Sequence, residues 1–208
     1  MANVIAIDGP SGAGKSSVSR IVGRKLGYLH VDSGALYRIM TWQCLVHGVD
    51  MESPEAIHAF AATVDIECRP EDGGVAYYVG GEAPGDRIRT PEINANASKV
   101  AREKPVREIV TALLKGMTRF GDLVVEGRDI TTAVFPDSPA RFYLTASADV
   151  RAARRQKEEV EKGIADQSAE AVKASLLARD KIDSSNLTLD QVVETVIAAL
   201  PPDWRGER

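Results

Sequence analysis

The 208-residue chain carries a net charge of −4 and two cysteines, so it can build one large core without disulfides or structural metals. A net-acidic balance argues against a surface made to coat nucleic acid. Neither a charged-then-apolar leader nor a long apolar run occurs, and a soluble cytoplasmic protein is expected. Cys44 and Cys68 have no metal-ligand spacing and read as reduced, small, buried hydrophobes.

Val4-Ile5-Ala6-Ile7 is an unbroken apolar run, as a strand buried on both faces requires. Residues 9–16, Gly-Pro-Ser-Gly-Ala-Gly-Lys-Ser, match the phosphate-binding loop pattern G-x-x-x-x-G-K-[ST] without a mismatch. Val18, Ile21, Val22, Lys25 and Leu26 then recur at helical spacing, and Gly27 stands where a helix should stop. Strand, glycine-rich loop and helix together form a nucleoside triphosphate site. Backbone N–H groups wrap the phosphates, Lys15 reaches the terminal ones, and the Ser16 hydroxyl meets Mg²⁺.

Leu29-His30-Val31 predicts a second strand, with Ser33 as N-cap of a helix carrying Leu36, Ile39, Met40 and Leu45. Ser53 and Pro54 open another helix. Residues 63–68 and 75–79 read as extended, split by a turn at 70–74, which gives a hairpin outside the main sheet. Residues 91–120 read as helical, interrupted near Lys104-Pro105. Leu123-Val124-Val125 is a third buried strand ending in Glu126-Gly127-Arg128-Asp129, and Arg141–Leu144 a fourth. A helix with Arg151, Arg154 and Arg155 follows, then a polar segment at 156–168, helices over about 169–181 and 187–200, and a frayed tail from Pro201. Alternating buried strands and helices imply a parallel α/β sheet.

In such sheets ligands bind beyond the carboxyl ends of the strands. Ser33 and Arg38 after the second strand, and Glu126, Arg128 and Asp129 after the third, should therefore face the phosphate loop. Arginine can clamp phosphate with two parallel hydrogen bonds, and a strand-end carboxylate can hold Mg²⁺ or its waters. Asp129, Asp32 and Asp8 are the candidate carboxylates. Arg155 and Arg179, flanking the polar segment, could neutralise a transferring phosphoryl group once a lid closes.

These motifs together resemble the bacterial cytidylate kinases. The resemblance rests on residues 7–16, on Asp32-Ser33-Gly34-Ala35-Leu36-Tyr37-Arg38, and on Asn96-Ala97-Ser98-Lys99-Val100-Ala101 with Val106-Arg107. It also rests on Glu126-Gly127-Arg128-Asp129 with Val134-Phe135-Pro136-Asp137, and on Arg179-Asp180. It implies a three-layer α/β/α P-loop kinase with a parallel sheet, a β insertion at 63–90 in the monophosphate-binding region, and a helical lid at 154–170. The core would comprise 1–62, 91–153 and 171–208 of a single domain. The reaction implied is transfer of the ATP γ-phosphoryl to CMP or dCMP by a monomer, with no nucleic-acid polymer or membrane as partner. Gly9, Pro10, Ser11, Gly12, Ala13, Gly14, Lys15, Ser16 and Ser17 would bind ATP, with Mg²⁺ at Ser16. Ser33, Arg38, Ser98, Arg107, Arg128, Asp129 and Asp183 would bind CMP, and Lys15, Arg128, Arg155 and Arg179 would be catalytic.

Two departures stand out. Thr131 occupies a position where the family usually has glycine. Residues 181–187 span two family landmarks that are normally fifteen to twenty residues further apart. Asp183 then matches either a sugar-contacting aspartate or the aspartate closing the last strand. On this comparison the last strand is missing, its bare edge would cost stability, and a segment absent from the sequence as written is expected. The competing readings are a P-loop kinase for another nucleotide or metabolite, and a degenerate nucleotide-binding module. No N-K-x-D motif supports a GTPase switch.

Overall fold

A computed structural model describes residues 2–154 and 180–205 of the chain. β1 (Val4–Asp8) is buried along its whole length. It pairs in parallel with β5 (Leu123–Gly127) on one side and β6 (Ala140–Thr145) on the other. β2 (Leu29–Asp32) extends the sheet beyond β5, and β7 (Asp180–Asp183) extends it beyond β6. With the antiparallel hairpin β3 (Glu67–Glu71) and β4 (Gly74–Tyr78), the order is β3-β4-β2-β5-β1-β6-β7.

Successive side chains of a strand face opposite ways, and β1 uses both faces. Val4 and Ala6 join a core with Leu36, Ile39 and Met40 of α2 (Ser33–Val46) and Val106, Val110 and Leu114 of α5 (Lys104–Gly116). Ile5 and Ile7 join a second core with Val18 and Val22 of α1 (Lys15–Leu26) and Val192, Val193 and Val196 of α7 (Leu189–Ala198). Two helical layers therefore enclose the sheet, as the continuous apolar strands require. α3 (Pro54–Ala61) opens on the Ser53 cap and Pro54 as the sequence predicts. α4 (Pro91–Arg102) and α5 divide at Glu103, beside the proline that forbids a continuous helix. α1 stops at Gly27 in the left-handed conformation. α6 is described over 148–154.

Several sequence expectations change. Asp32, not Ser33, caps α2, because its carboxylate accepts from the Ala35 N–H at 3.2 Å while Ser33 is already helical. The 63–90 hairpin belongs to the main sheet: His30 registers with Gly74, and the His30 N–H donates to the Gly73 carbonyl at 3.0 Å. Cys68, Val75 and Tyr77 supply an apolar face that packs into the first core, which fixes the hairpin against the sheet. Both cysteines are free and buried, as read from the sequence. The tail is packed as far as Arg205: Trp204 lies against the second core, and the Arg205 Nε donates to the Leu200 carbonyl at 2.9 Å.

The largest correction concerns the last strand. Residues 180–183, expected at the end of a helix, are β7, with Leu144↔Ile182 and Thr145↔Asp183 in register. The rest of that helix and the polar segment before it lie outside the described residues. The edge thought to be bare is covered, and the reason for expecting an omitted segment goes with it. Ile182 is buried among the α7 side chains. Ile182→Ala should lower unfolding free energy in urea by about 2–4 kcal/mol. A loss below roughly 0.5 kcal/mol, the level of an ordinary surface change, would mean that β7 does not dock.

Candidate active site

The register places the site. Asp8 pairs with Gly127 and Asp32 with Glu126, so β1, β5 and β2 end side by side at one edge of the sheet. The phosphate loop leaves β1 there and enters α1 at Gly14, whose φ of 91° is left-handed. A Cβ on Gly9 would lie 2.0 Å from the Leu144 carbonyl oxygen, so the loop can start beside β6 only with glycine. Lys15 donates from Nζ to the Pro10 carbonyl at 3.0 Å, closing the loop on itself. Burial draws the Lys15 ammonium below its ordinary value of 10.5, and Arg128 adds to this while Glu126, Asp32 and Asp8 oppose it. Ser16 and Ser17 are exposed on the first turn of α1.

Opposite the loop, Arg38 donates to Asp32 at 2.7 Å. Its buried Nε has no hydrogen-bond partner among the described residues. Burial works to raise the Asp32 carboxyl, but the charges of Arg38, Arg89 and His30 and the Ala35 N–H hold it below its ordinary 3.8. The Tyr77 hydroxyl donates to the Asp32 carbonyl at 3.1 Å, and burial lifts its pKa well above 10.0. His30 Nε2 and Glu126 Oε1 stand 3.1 Å apart, with Glu126 almost fully buried.

Gly127 continues this packing. A Cβ there would sit 1.9 Å from the Ser33 Oγ, so only glycine lets β5 approach the start of α2. Arg128, next in the chain, is exposed. Asp129 takes a left-handed φ of 59° and accepts from Arg107 at 2.6 Å. Tyr37 lies by this pair: burial raises its hydroxyl, with Arg107 and Asp129 acting in opposite directions. Ser98 is exposed on α4, a helix packed on α2.

The structure thus brings Lys15, Ser33, Arg38, Arg107, Arg128 and Asp129 to one sheet edge. Asp183 is not among them. It ends β7, three strand spacings or roughly 14 Å from β5, and its Oδ1 accepts from the Ser185 N–H and hydroxyl at 2.9 and 2.6 Å. Of its two matches, the strand-closing one fits. Arg155 and Arg179 lie outside the described residues. The carboxylate of Asp8, one of the three magnesium candidates, accepts from the Ile130 and Thr131 N–H groups and from the Thr131 hydroxyl. Sequence reasoning missed Arg89, Tyr37, Tyr77 and His30. Each acts on a partner distant in the chain, which no local pattern announces.

A model of the cytidylate kinase family matches residues 5–188. The cytidylate kinase of Shouchella clausii is 35% identical over 211 residues, covering 93% of each chain. That of Pseudomonas aeruginosa is 37% identical over 214 residues, again with 93% of each covered. The bifunctional pantoate ligase/cytidylate kinase of a Synechococcus strain is 39% identical over 183 residues, 88% of this chain and 37% of its own. Among solved structures, a sugar kinase from Janibacter superposes with a TM-score of 0.50 and 12% identity over 99% of this chain and 97% of its own. That likeness bears on the fold alone.

The depressed Asp32 carboxyl gives a pH test. Its contribution to stability is complete above the unfolded value near 3.8 and is lost as pH falls through the lower folded value. The stability gap between wild type and Asp32→Asn, measured by urea unfolding, should be flat above about pH 5 and shrink below about pH 4. A gap that widens on acidification would show that Asp32 is not held ionised.

Proposed function

The chain belongs to the cytidylate kinase family, and from that membership we infer that it transfers the γ-phosphoryl group of ATP to CMP or dCMP, yielding ADP and CDP or dCDP. The observation that carries this reading is the common ending of β1, β2 and β5, which sets a donor loop against a group of arginines. Transfer needs two phosphates brought in line with their charge neutralised, and little covalent work from the protein.

The donor half is the Gly9–Ser17 loop. Lys15 has the Pro10 carbonyl as its hydrogen-bond partner among the described residues, to exchange for a phosphate oxygen. Charge builds on the β–γ bridging and β-phosphate oxygens as the bond to the γ-phosphorus breaks, so a lysine placed against them favours the transition state over bound ATP. In the acceptor half, Arg38 would offer its unpartnered Nε to the CMP phosphate, and Arg128, which directly follows β5, would join it. Ser33 presents the start of α2 toward the same anion. Arg107 and Asp129, already bonded to one another, offer a donor and an acceptor to the cytosine edge, with Ser98 from α4. A carboxylate facing the cytosine amino group accepts from it, and the carbonyl of uracil would meet only repulsion there. No general base is needed, because the attacking acceptor oxygen is already anionic. Arg155 and Arg179 would complete the neutralisation from the lid.

Magnesium, accompanying ATP, would be held by the Ser16 hydroxyl and the nucleotide phosphates, supplying charge neutralisation at the β and γ oxygens. The exposed hydroxyl on the first turn of α1 suits a cation that keeps most of its water. Asp32, bonded to Arg38, and Asp129, bonded to Arg107, are with Asp8 the carboxylates that would orient those waters. A cytoplasmic setting agrees with the two free, buried thiols.

A coupled assay over CMP, dCMP, UMP, AMP and GMP tests the assignment. CMP and dCMP should be preferred, and Lys15→Ala and Arg128→Ala should each reduce turnover on CMP about 10²–10³-fold. Preference for UMP over CMP would overturn the base-reading residues, and unchanged turnover in both variants would overturn the site.

A further inference from the structure

Asp8 is the last residue of β1 and directly precedes the phosphate loop, yet it serves the other side of the cleft. Its side chain is 2% exposed and crosses to the chain just after β5. Oδ1 accepts from the Ile130 N–H at 2.8 Å. Oδ2 accepts from the Thr131 N–H at 3.1 Å and from the Thr131 hydroxyl at 2.5 Å. Thr131 is fully buried. Hydrogen bonds to a buried ionised acceptor are short and strong, and losing one leaves the charge under-solvated.

What these bonds hold is the turn that follows Asp129. Asp129 is one of two non-glycine residues with a positive φ among the described residues, a conformation that needs its surroundings to maintain it. Its carbonyl accepts from the N–H groups of Ala133 and Val134 at 2.8 and 3.2 Å, and the wide helical turn Ile130–Val134 closes with the Phe135 N–H on the Ile130 carbonyl at 2.7 Å. The two N–H groups at the start of that turn point into Asp8. Arg128 and Asp129, which face the acceptor, are thus fixed from behind by a carboxylate on the donor strand.

We propose that Asp8 and Thr131 are positioning residues for the acceptor, locking the turn that presents Arg128 and Asp129 and tying it to the first residue of the phosphate loop. Neither touches substrate. The inference rests on the cytidylate kinase reading, and it assigns a role to the threonine that stands where glycine is usual in that family: its hydroxyl supplies the carboxylate with a third donor that glycine lacks.

Thr131→Val keeps the shape and removes the hydroxyl, while Thr131→Ser keeps the hydroxyl. In steady-state kinetics Thr131→Val should raise KM for CMP about tenfold, with KM for ATP within about twofold, and Thr131→Ser should restore it. Hydrogen exchange of the ligand-free protein reads the turn without any substrate: amides 130–134 should exchange at least about tenfold faster in Thr131→Val, with β5 amides unchanged. An unchanged KM for CMP in Thr131→Val, or equal rises for both substrates that Thr131→Ser fails to reverse, overturns the positioning role. If the wild type proves inactive on CMP while exchange accelerates as stated, the reaction reading fails and the anchoring of the turn stands.

Discussion

β1 is hydrogen-bonded on both sides, to β5 in the register Asp8↔Gly127 and to β6 in the register Asp8↔Tyr143, and its side chains are buried in two cores at once. A one-residue slip would exchange the two faces of the strand, putting Val4 and Ala6 where Ile5 and Ile7 pack. The level at which β1 ends is therefore fixed, and with it the start of the phosphate loop. β2 pairs with β5 on its far side, so the Asp32 cap and Arg38 of α2 inherit the same level. The close contacts of Gly9 with Leu144 and of Gly127 with Ser33 are consequences. Strands held this near leave no room for a Cβ at the two points where the chain turns off the sheet.

The same edge carries the charge pairs on which the proposed anion site depends. Arg38 rests on Asp32 and Arg107 on Asp129, pairs that replace solvation without adding much stability. An arriving phosphate carries more charge than a carboxylate and accepts two parallel bonds from one guanidinium. It can therefore draw on the Arg38 Nε that Asp32 leaves unused. Asp32 meanwhile keeps the Ala35 N–H and the field of Arg89 and His30, so losing part of Arg38 does not strand its charge. The carboxylates thus hold the arginines in place before the substrate arrives.

Groups whose partners are local in sequence were legible, and groups whose partners are distant were not. The phosphate loop is one continuous turn between a buried strand and an amphipathic helix, and its pattern suffices. Gly127-Arg128-Asp129 was visible as charge around a glycine at a strand end. Asp32 and Ser33 compete for the same cap, and choosing Asp32 requires knowing that the Ser33 hydroxyl faces Gly127 across the sheet. Membership of the hairpin in the main sheet depends on one bridge, His30 with Gly74, which no periodicity announces. The donors that occupy the Asp8 carboxylate were not legible, because they lie 122 and 123 residues away.

β7 shows how few residues an edge strand needs when its end is well anchored. It has four residues, and a strand so short presents little open edge. Its end is secured by Ser184, which is buried and lies within hydrogen-bonding distance of the Ala13 carbonyl of the phosphate loop at 3.1 Å and the Thr145 carbonyl at 2.9 Å. One hydroxyl proton serves one of these carbonyls at a time, and the oxygen accepts from Arg154 at 2.9 Å. A second bond from Arg154 to the Ser184 carbonyl holds the guanidinium over the junction, within reach of Gly14. The strand read as missing is thus bonded to the donor loop and to α6. Asp183 lies on that side of the sheet, closing its own turn on Ser185, while Arg38 and Arg128, proposed to hold the acceptor, follow the β2 and β5 ends.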